Sequence, residues 1–180
     1  MSKWEKVSSK EVFKNEWISL DLDEVIRPDG KSGQYSVVNS SEVVSIVAFK
    51  DKAEIYLVRL HRYPFLSYSW EIVKGRTDGE DPRAAAAREL QEETGFVANS
   101  LTEIGYFHPL NGLVRETTYT YIARDLTQTD TNDQEEEGIT EVKAFTLKEI
   151  EKMIKKNEIL DGQTISALYK VKIYLENNHE

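Results

Sequence analysis

The sequence contains no cysteine, which excludes a disulfide framework, a thiolate zinc site and a cysteine nucleophile. It has no run approaching the roughly 18 apolar residues of a membrane-spanning helix. Its first residues, Met1-Ser2-Lys3-Trp4-Glu5, lack the apolar stretch of a secretory signal. Basic residues are few beside acidic ones, 23 Lys and Arg against 32 Asp and Glu, for a formal net charge of −9. A nucleic-acid polymer is an unsuitable main partner for that balance, because affinity for its backbone comes from clustered Lys and Arg. A small anionic substrate remains open, since divalent cations set between acidic side chains and a pyrophosphate cancel the repulsion. The expectation is a cytoplasmic protein with no membrane segment.

What remains is an ordinary globular balance, 39% apolar and 31% charged over 180 residues. That length holds one domain with a good core, or one domain and a short extension. No internal repeat or low-complexity linker divides the chain. Residues 1–42 are β-rich: Ile18, Leu20 and Leu22 alternate with polar neighbours, and Pro28-Asp29-Gly30-Lys31 is turn chemistry ahead of a returning strand at Tyr35–Asn39. Val43–Phe49 and Ile55–Leu60 are stronger strands, and Leu101–Phe107, Thr117–Ala123 and Thr140–Phe145 follow.

Three helices are expected. Asp81-Pro82 opens the first, with Asp as cap and proline at the first helical position, and Gly95 suits a left-handed end. Thr146-Leu147-Lys148-Glu149 is a capping box that starts the second, with Ile150, Met153 and Ile154 on one face. The third carries Ile165, Leu168 and Ile173. The class is α+β, a mixed sheet with helices packed on it.

The informative stretch is Arg88-Glu89-Leu90-Gln91-Glu92-Glu93-Thr94-Gly95-Phe96. At about 100° per residue, Glu89 and Glu93 share one helix face. Like charges at that spacing destabilise a helix by roughly 0.2–0.5 kcal/mol, unless a divalent cation lies between them. Glu92 is four residues from Arg88 and so placed to pair with it, as a brace or an outer ligand. A solvated acidic face would look the same in isolation. The preceding loop, Trp70 to Glu80 with Gly75 and Gly79, favours the metal instead, because glycines let backbone approach ions and phosphate closely.

Together these residues resemble the box of the Nudix hydrolase family, on which Glu80, Arg88, Glu89, Leu90, Glu92, Glu93, Gly95 and Phe96 fall. There is one departure. Four residues rather than five separate Gly75 from Glu80, which we read as a one-residue deletion in the loop. The resemblance implies an α/β/α sandwich and a Mg²⁺-dependent enzyme, with Mn²⁺ as the other admissible ion. Glu89 and Glu93 become metal ligands, joined by the backbone carbonyl of Lys74. Glu80, Arg88 and Gly95 become structural members of the box.

The flanks resemble the ADP-ribose and nucleoside-diphosphate-sugar pyrophosphatase branch over nearly the whole chain. Residues 1–42 correspond to its N-terminal extension, used for dimerisation and part of the substrate site, and 43–180 to the hydrolase domain. Arg59 and Arg62 lie in its arginine-bearing strand end, and Gly75 and Arg76 in its substrate loop. His108 to Glu116 occupies its Pro-Gly loop, making Glu116 a substrate or metal contact and His108 a lesser candidate. Gly162-Gln163-Thr164 matches the start of its last helix, a structural feature. In this branch the acidic loop Asp130–Glu137 supplies the base and a further metal ligand. Aligning on Ile139 makes Glu135 the base and Glu137 the ligand, with Glu136 the rival base and Glu92 a supporting catalytic carboxylate. Trp4, Trp17 and Tyr35 are candidates to stack on a nucleobase, although packing or dimer contact is the plainer role for each.

The implied reaction is hydrolysis of the pyrophosphate bond of ADP-ribose or a nucleoside diphosphate sugar, by a homodimer. The alternative in the same chemistry is a dinucleoside-polyphosphate or RNA 5′-end hydrolase, which Trp70 to Arg76 also resembles. The alternative of another class is a non-catalytic nucleotide-sensing module.

Overall fold

The computed structural model describes residues 3–178. The chain begins with an antiparallel meander of β1 (Glu5–Lys14), β2 (Ile18–Ile26) and β3 (Ser32–Ser40). The Pro28-Asp29-Gly30 turn joins the last two, with Asp29 accepting from Lys31 N at 3.2 Å. This sheet has little interior of its own. Every residue of β1 is exposed, and in β2 only Asp23 and Val25 are buried, not the Ile18, Leu20, Leu22 series. The strand period is right, but among the described residues no second layer covers that face.

The main body starts with β4 (Val43–Phe49), β5 (Glu54–Arg62), β6 (Ser67–Glu71) and β7 (Val73–Arg76). Then come α1 (Pro82–Thr94), β8 (Phe96–Phe107), β9 (Val114–Arg115) and β10 (Thr118–Gln128). The chain closes with β11 (Ile139–Thr146), α2 (Leu147–Lys155) and α3 (Gly162–Asn178). The large sheet runs β11-β5-β4-β10-β8, with β6 paired to β5 and β7 to β4. Its β4–β10 pair is parallel and the others are antiparallel, so the sheet is mixed. Two-residue β9 adds to β3 in parallel and ties the first sheet to the loop before β10.

All seven residues of β4 are buried because both of its faces are covered. Val44, Ile46 and Ala48 point toward Ala85, Ala86 and Leu90 of α1. Val47 and Phe49 point the other way, toward Ile150 and Met153 of α2 and Ala167, Leu168 and Val171 of α3. This strand alternation produces the α/β/α sandwich. The stripe on α3 is Thr164, Ala167, Leu168 and Val171, and Ile173 is 41% exposed. Ile173 belongs to the expected helix but lies off that i, i+3, i+4, i+7 series. Among the described residues no helix is long and apolar enough to cross a membrane.

Candidate active site

The local chemistry of α1 places two carboxylates inside the protein. Asp81 caps the helix, accepting from Arg83 N at 3.0 Å and Ala84 N at 3.2 Å, and Gly95 ends it at φ 74°. The buried stripe between them includes Ala85, Ala86 and Leu90, but also Glu89 and Glu93. A buried carboxylate is costly unless something compensates its charge. Glu89 accepts from Arg88 Nη1 at 2.8 Å, while Glu93 Oε2 is buried and has no hydrogen-bond partner among the described residues. Burial first, and then the Glu89 and Glu137 charges, push the Glu93 carboxyl well above the usual range. Burial likewise raises Glu89, against the pull of Arg88.

Arg88 braces this face. It donates to Glu92 at 2.7 Å, to Glu80 at 3.2 Å and to the Arg76 carbonyl at 3.0 Å. Glu92 therefore contributes to the brace, not to the buried pair. The shortened loop keeps Glu80 in reach through a tight turn. Asp78 and Gly79 have φ 48° and 87°, and Glu80 N donates to Thr77 O at 2.8 Å. That is the Asp-Gly signature of a type I′ turn, which closes the loop with two central residues. The Asp-Gly pair was the signal for it in the sequence.

The acidic loop is anchored beside the end of α1, with Asp133 N donating to Glu92 O at 2.9 Å. Residues 134–138 form one helical turn closed by Gly138 at φ 68°, with Ile139 N to Gln134 O at 2.8 Å and Gly138 N to Glu135 O at 3.2 Å. These two bonds make a Schellman motif. Glu135, Glu136 and Glu137 are all exposed, and Glu137 is the loop residue whose charge bears on both Glu89 and Glu93.

A cleft of about 590 Å³ lies alongside, lined by Arg62, Lys74, Gly75, Arg76, Glu116 and Asp161 among others. Its size suits a small-molecule ligand. Arg62 grips Glu71 through Nε at 3.0 Å and Nη2 at 2.6 Å, which leaves Nη1 for a ligand. Lys74 Nζ bridges Glu71 at 2.7 Å and Asp161 at 2.6 Å. This four-residue ion cluster is not visible in the sequence, where Lys74 is a candidate only through its backbone carbonyl and Asp161 lies 87 positions away. Arg76 turns toward the first sheet, donating to Ser41 Oγ at 2.7 Å and sitting 5.1 Å over Trp17.

Arg59 is not part of this group. It lies over Tyr68 at 4.5 Å and lines a separate hollow with Trp70 and Lys143. Arg59 and Arg62 are three residues apart on β5, so strand alternation turns them to opposite faces. A neighbouring hollow of about 490 Å³ shares Val114 and Glu116 with the cleft and is lined by Trp4, Tyr35 and His108. Trp4 and Tyr35 meet edge-on at 5.3 Å, and His108 Nδ1 is 2.9 Å from the Glu116 carbonyl.

The donor set fits a divalent cation. Oxygen ligands, an unpartnered buried carboxylate oxygen and the bare backbone of Gly75 against Glu89 are what such an ion uses. Among the described residues no three His, Asp or Glu side chains are gathered tightly enough to cage an ion alone. Magnesium is commonly held by one or two carboxylates with water and substrate phosphate completing its shell.

The NUDIX domain matches residues 40–168, more than half of the chain. The chain belongs to the Nudix family. It is a Nudix hydrolase, and residues 4–38 match the nucleoside diphosphate sugar hydrolase N-terminal domain. It is 30% identical over 164 residues to the ADP-ribose pyrophosphatase of Bacillus subtilis (strain 168), covering 90% of this chain and 89% of that one. Over the same length it is 27% identical to the methanol dehydrogenase activator of Bacillus methanolicus, with 90% and 89% covered. The crystal structure of an ADP compounds hydrolase superposes with a TM-score of 0.85 at 23% identity, covering 98% of this chain and 96% of that one. That likeness is one of fold.

Proposed function

We propose that this Nudix hydrolase cleaves the pyrophosphate bond of ADP-ribose or a related nucleoside diphosphate sugar, releasing a nucleoside monophosphate and a sugar or ribose phosphate. The observation that carries the reading is the buried, unpartnered Glu93 Oε2 beside Glu89, which itself packs against Gly75 on the cleft wall. The similarity to a protein named ADP-ribose pyrophosphatase supports the substrate class.

Glu89 and Glu93 would hold Mg²⁺, or Mn²⁺ in its place, with Glu137 and the Lys74 carbonyl as further donors. Such an ion neutralises a diphosphate and lowers the pKa of bound water. Arg62 Nη1 is placed to take a phosphate or sugar oxygen. The proton of the attacking water goes to Glu135, with Glu136 as the rival, a contribution of about 10²–10⁴ in rate. The division at residue 42 puts β1, β2 and β3 in the N-terminal extension, to whose sheet the hydrolase body adds the two residues of β9. The working state is a homodimer in the cytoplasm. β1 is an exposed edge strand, mostly polar, whose unpaired backbone edge and exposed Val7 (65%) and Phe13 (49%) a second copy would cover.

The test is a substrate panel of ADP-ribose, GDP-mannose, UDP-glucose and dinucleoside polyphosphates with product identification. Turnover of the sugar compounds, lost on chelation, is expected. Turnover of the polyphosphates alone would overturn the substrate class, and none at all would favour a nucleotide-sensing module.

A further inference from the structure

The first turn of α3 is held by two anchors on the cleft floor. Asp161 Oδ2 accepts from Thr164 N and Thr164 Oγ1, both at 2.7 Å, and from Lys74 Nζ at 2.6 Å. Thr164 is fully buried, and its hydroxyl accepts from Ile72 N at 3.2 Å. The start of the helix is thereby fixed to the Glu71–Lys74 stretch. Gln163 sits between these anchors and reaches the opposite wall.

Gln163 Nε2 donates to Glu116 Oε1 at 2.8 Å, and Thr118 Oγ1 donates to the same oxygen at 3.1 Å. Glu116 Oε2 accepts no hydrogen bond from the described residues. Both donors are uncharged, so the carboxylate is oriented without being neutralised. An ionised carboxylate only accepts, which suits hydroxyl donors and disfavours phosphate. Glutamate also has three rotatable bonds, and holding one oxygen removes the disorder that binding would otherwise have to remove.

We infer that Gln163 is a positioning residue of the substrate pocket, acting through Glu116 so that Oε2 faces the hydroxyl groups of the sugar on the diphosphate. The inference rests on the hydrolase reading above and deepens it.

The test uses the full chain with ADP-ribose, measuring KM, kcat, Mg²⁺ dependence and thermal midpoint. Gln163→Ala should raise KM about tenfold and change kcat less than about threefold, as expected for a lost hydrogen bond to a charged group. Gln163→Glu has the same shape but sets a like charge against Glu116, and should raise KM further. The double variant Gln163→Ala/Glu116→Ala should be no worse than Glu116→Ala alone, because the two residues act as one unit. Thermal midpoints should stay within a few degrees of wild type.

Wild-type KM in Gln163→Glu would make Gln163 a space-filler and overturn the inference. Additive losses in the double variant, or a shifted Mg²⁺ requirement in Gln163→Ala, would overturn it as well. Those outcomes leave an active wild type and the hydrolase reading intact. No turnover by wild type of any compound in the panel would overturn that reading and this inference with it.

Discussion

The carboxylate of Glu89 lies so close to the Cα of Gly75 that a Cβ placed there would fall 1.8 Å from Glu89 Cδ. Gly75 is held in β7 by pairing with Val44, and Glu89 by α1, so the two backbones are fixed relative to each other. What can yield is the tip of the Glu89 side chain. Gly75→Ala should therefore fold with a stability change within roughly 1 kcal/mol. Its kcat/KM should fall about 100-fold, because a misplacement of about 1 Å in a site has that effect. Steady-state kinetics with urea unfolding would check both, and near-wild-type activity would show that the position of Glu89 is immaterial.

Glu93 is expected to trade stability for function. Its carboxyl is buried, raised well above the usual range by burial and then by Glu89 and Glu137, and left with an unpartnered oxygen. In chelator, Glu93→Gln should melt higher than wild type, by about 2–4 °C for each kcal/mol relieved. Added Mg²⁺ should raise the wild-type midpoint and leave the variant unmoved. Activity should drop roughly 10²–10³-fold or more. A variant that melts lower than wild type without metal would mean that Glu93 is an ordinary stabilising side chain.

The contrast between these residues and the ion cluster shows what was legible beforehand. Helix α1 could be bounded to the residue, because Asp81, Pro82 and Gly95 act through local backbone chemistry. The Glu89–Glu93 pair was legible from helical periodicity for the same reason. The Glu71–Lys74–Asp161 chain was not, since Lys74 and Asp161 are 87 positions apart and meet only when α3 packs on the sheet. The strand β1 was missed because Glu5–Lys14 has no buried face within this chain, and so no apolar alternation to betray it. Closeness in sequence puts Arg59 and Arg62 on one strand end, and strand alternation separates them.

The three loop glutamates should separate by which kinetic constant moves. Glu137, whose charge reaches Glu89 and Glu93, should as Glu137→Gln raise the Mg²⁺ concentration for half-maximal rate. The general base should instead lose about 10²–10⁴ in kcat when made Gln, with the Mg²⁺ requirement unchanged. Glu135→Gln is expected to show that second pattern and Glu136→Gln to stay near wild type. The reverse result would move the base by one position in the turn. Equal small effects from both would remove this loop from the chemistry.

Glu71 supplies the pH dependence. Its side chain is 2% exposed, and burial pushes its carboxyl up, but Arg62 at 2.6 Å and Lys74 at 2.7 Å outweigh burial. The net result is a carboxyl below its ordinary 4.5. A depressed acid binds fewer protons folded than unfolded, so its stabilisation is present above about 4.5 and is lost as pH falls through the folded value. Glu71→Gln leaves Lys74 with Asp161 alone and Arg62 without its bidentate partner. At neutral pH that should cost about 3–5 kcal/mol, the range for breaking a buried pair. In acid the wild-type carboxyl takes up its proton and the gap between the two proteins should narrow. Urea unfolding of both at neutral pH and at about pH 3 measures it. A gap of constant size across that range would show that Glu71 contributes by shape and not by charge.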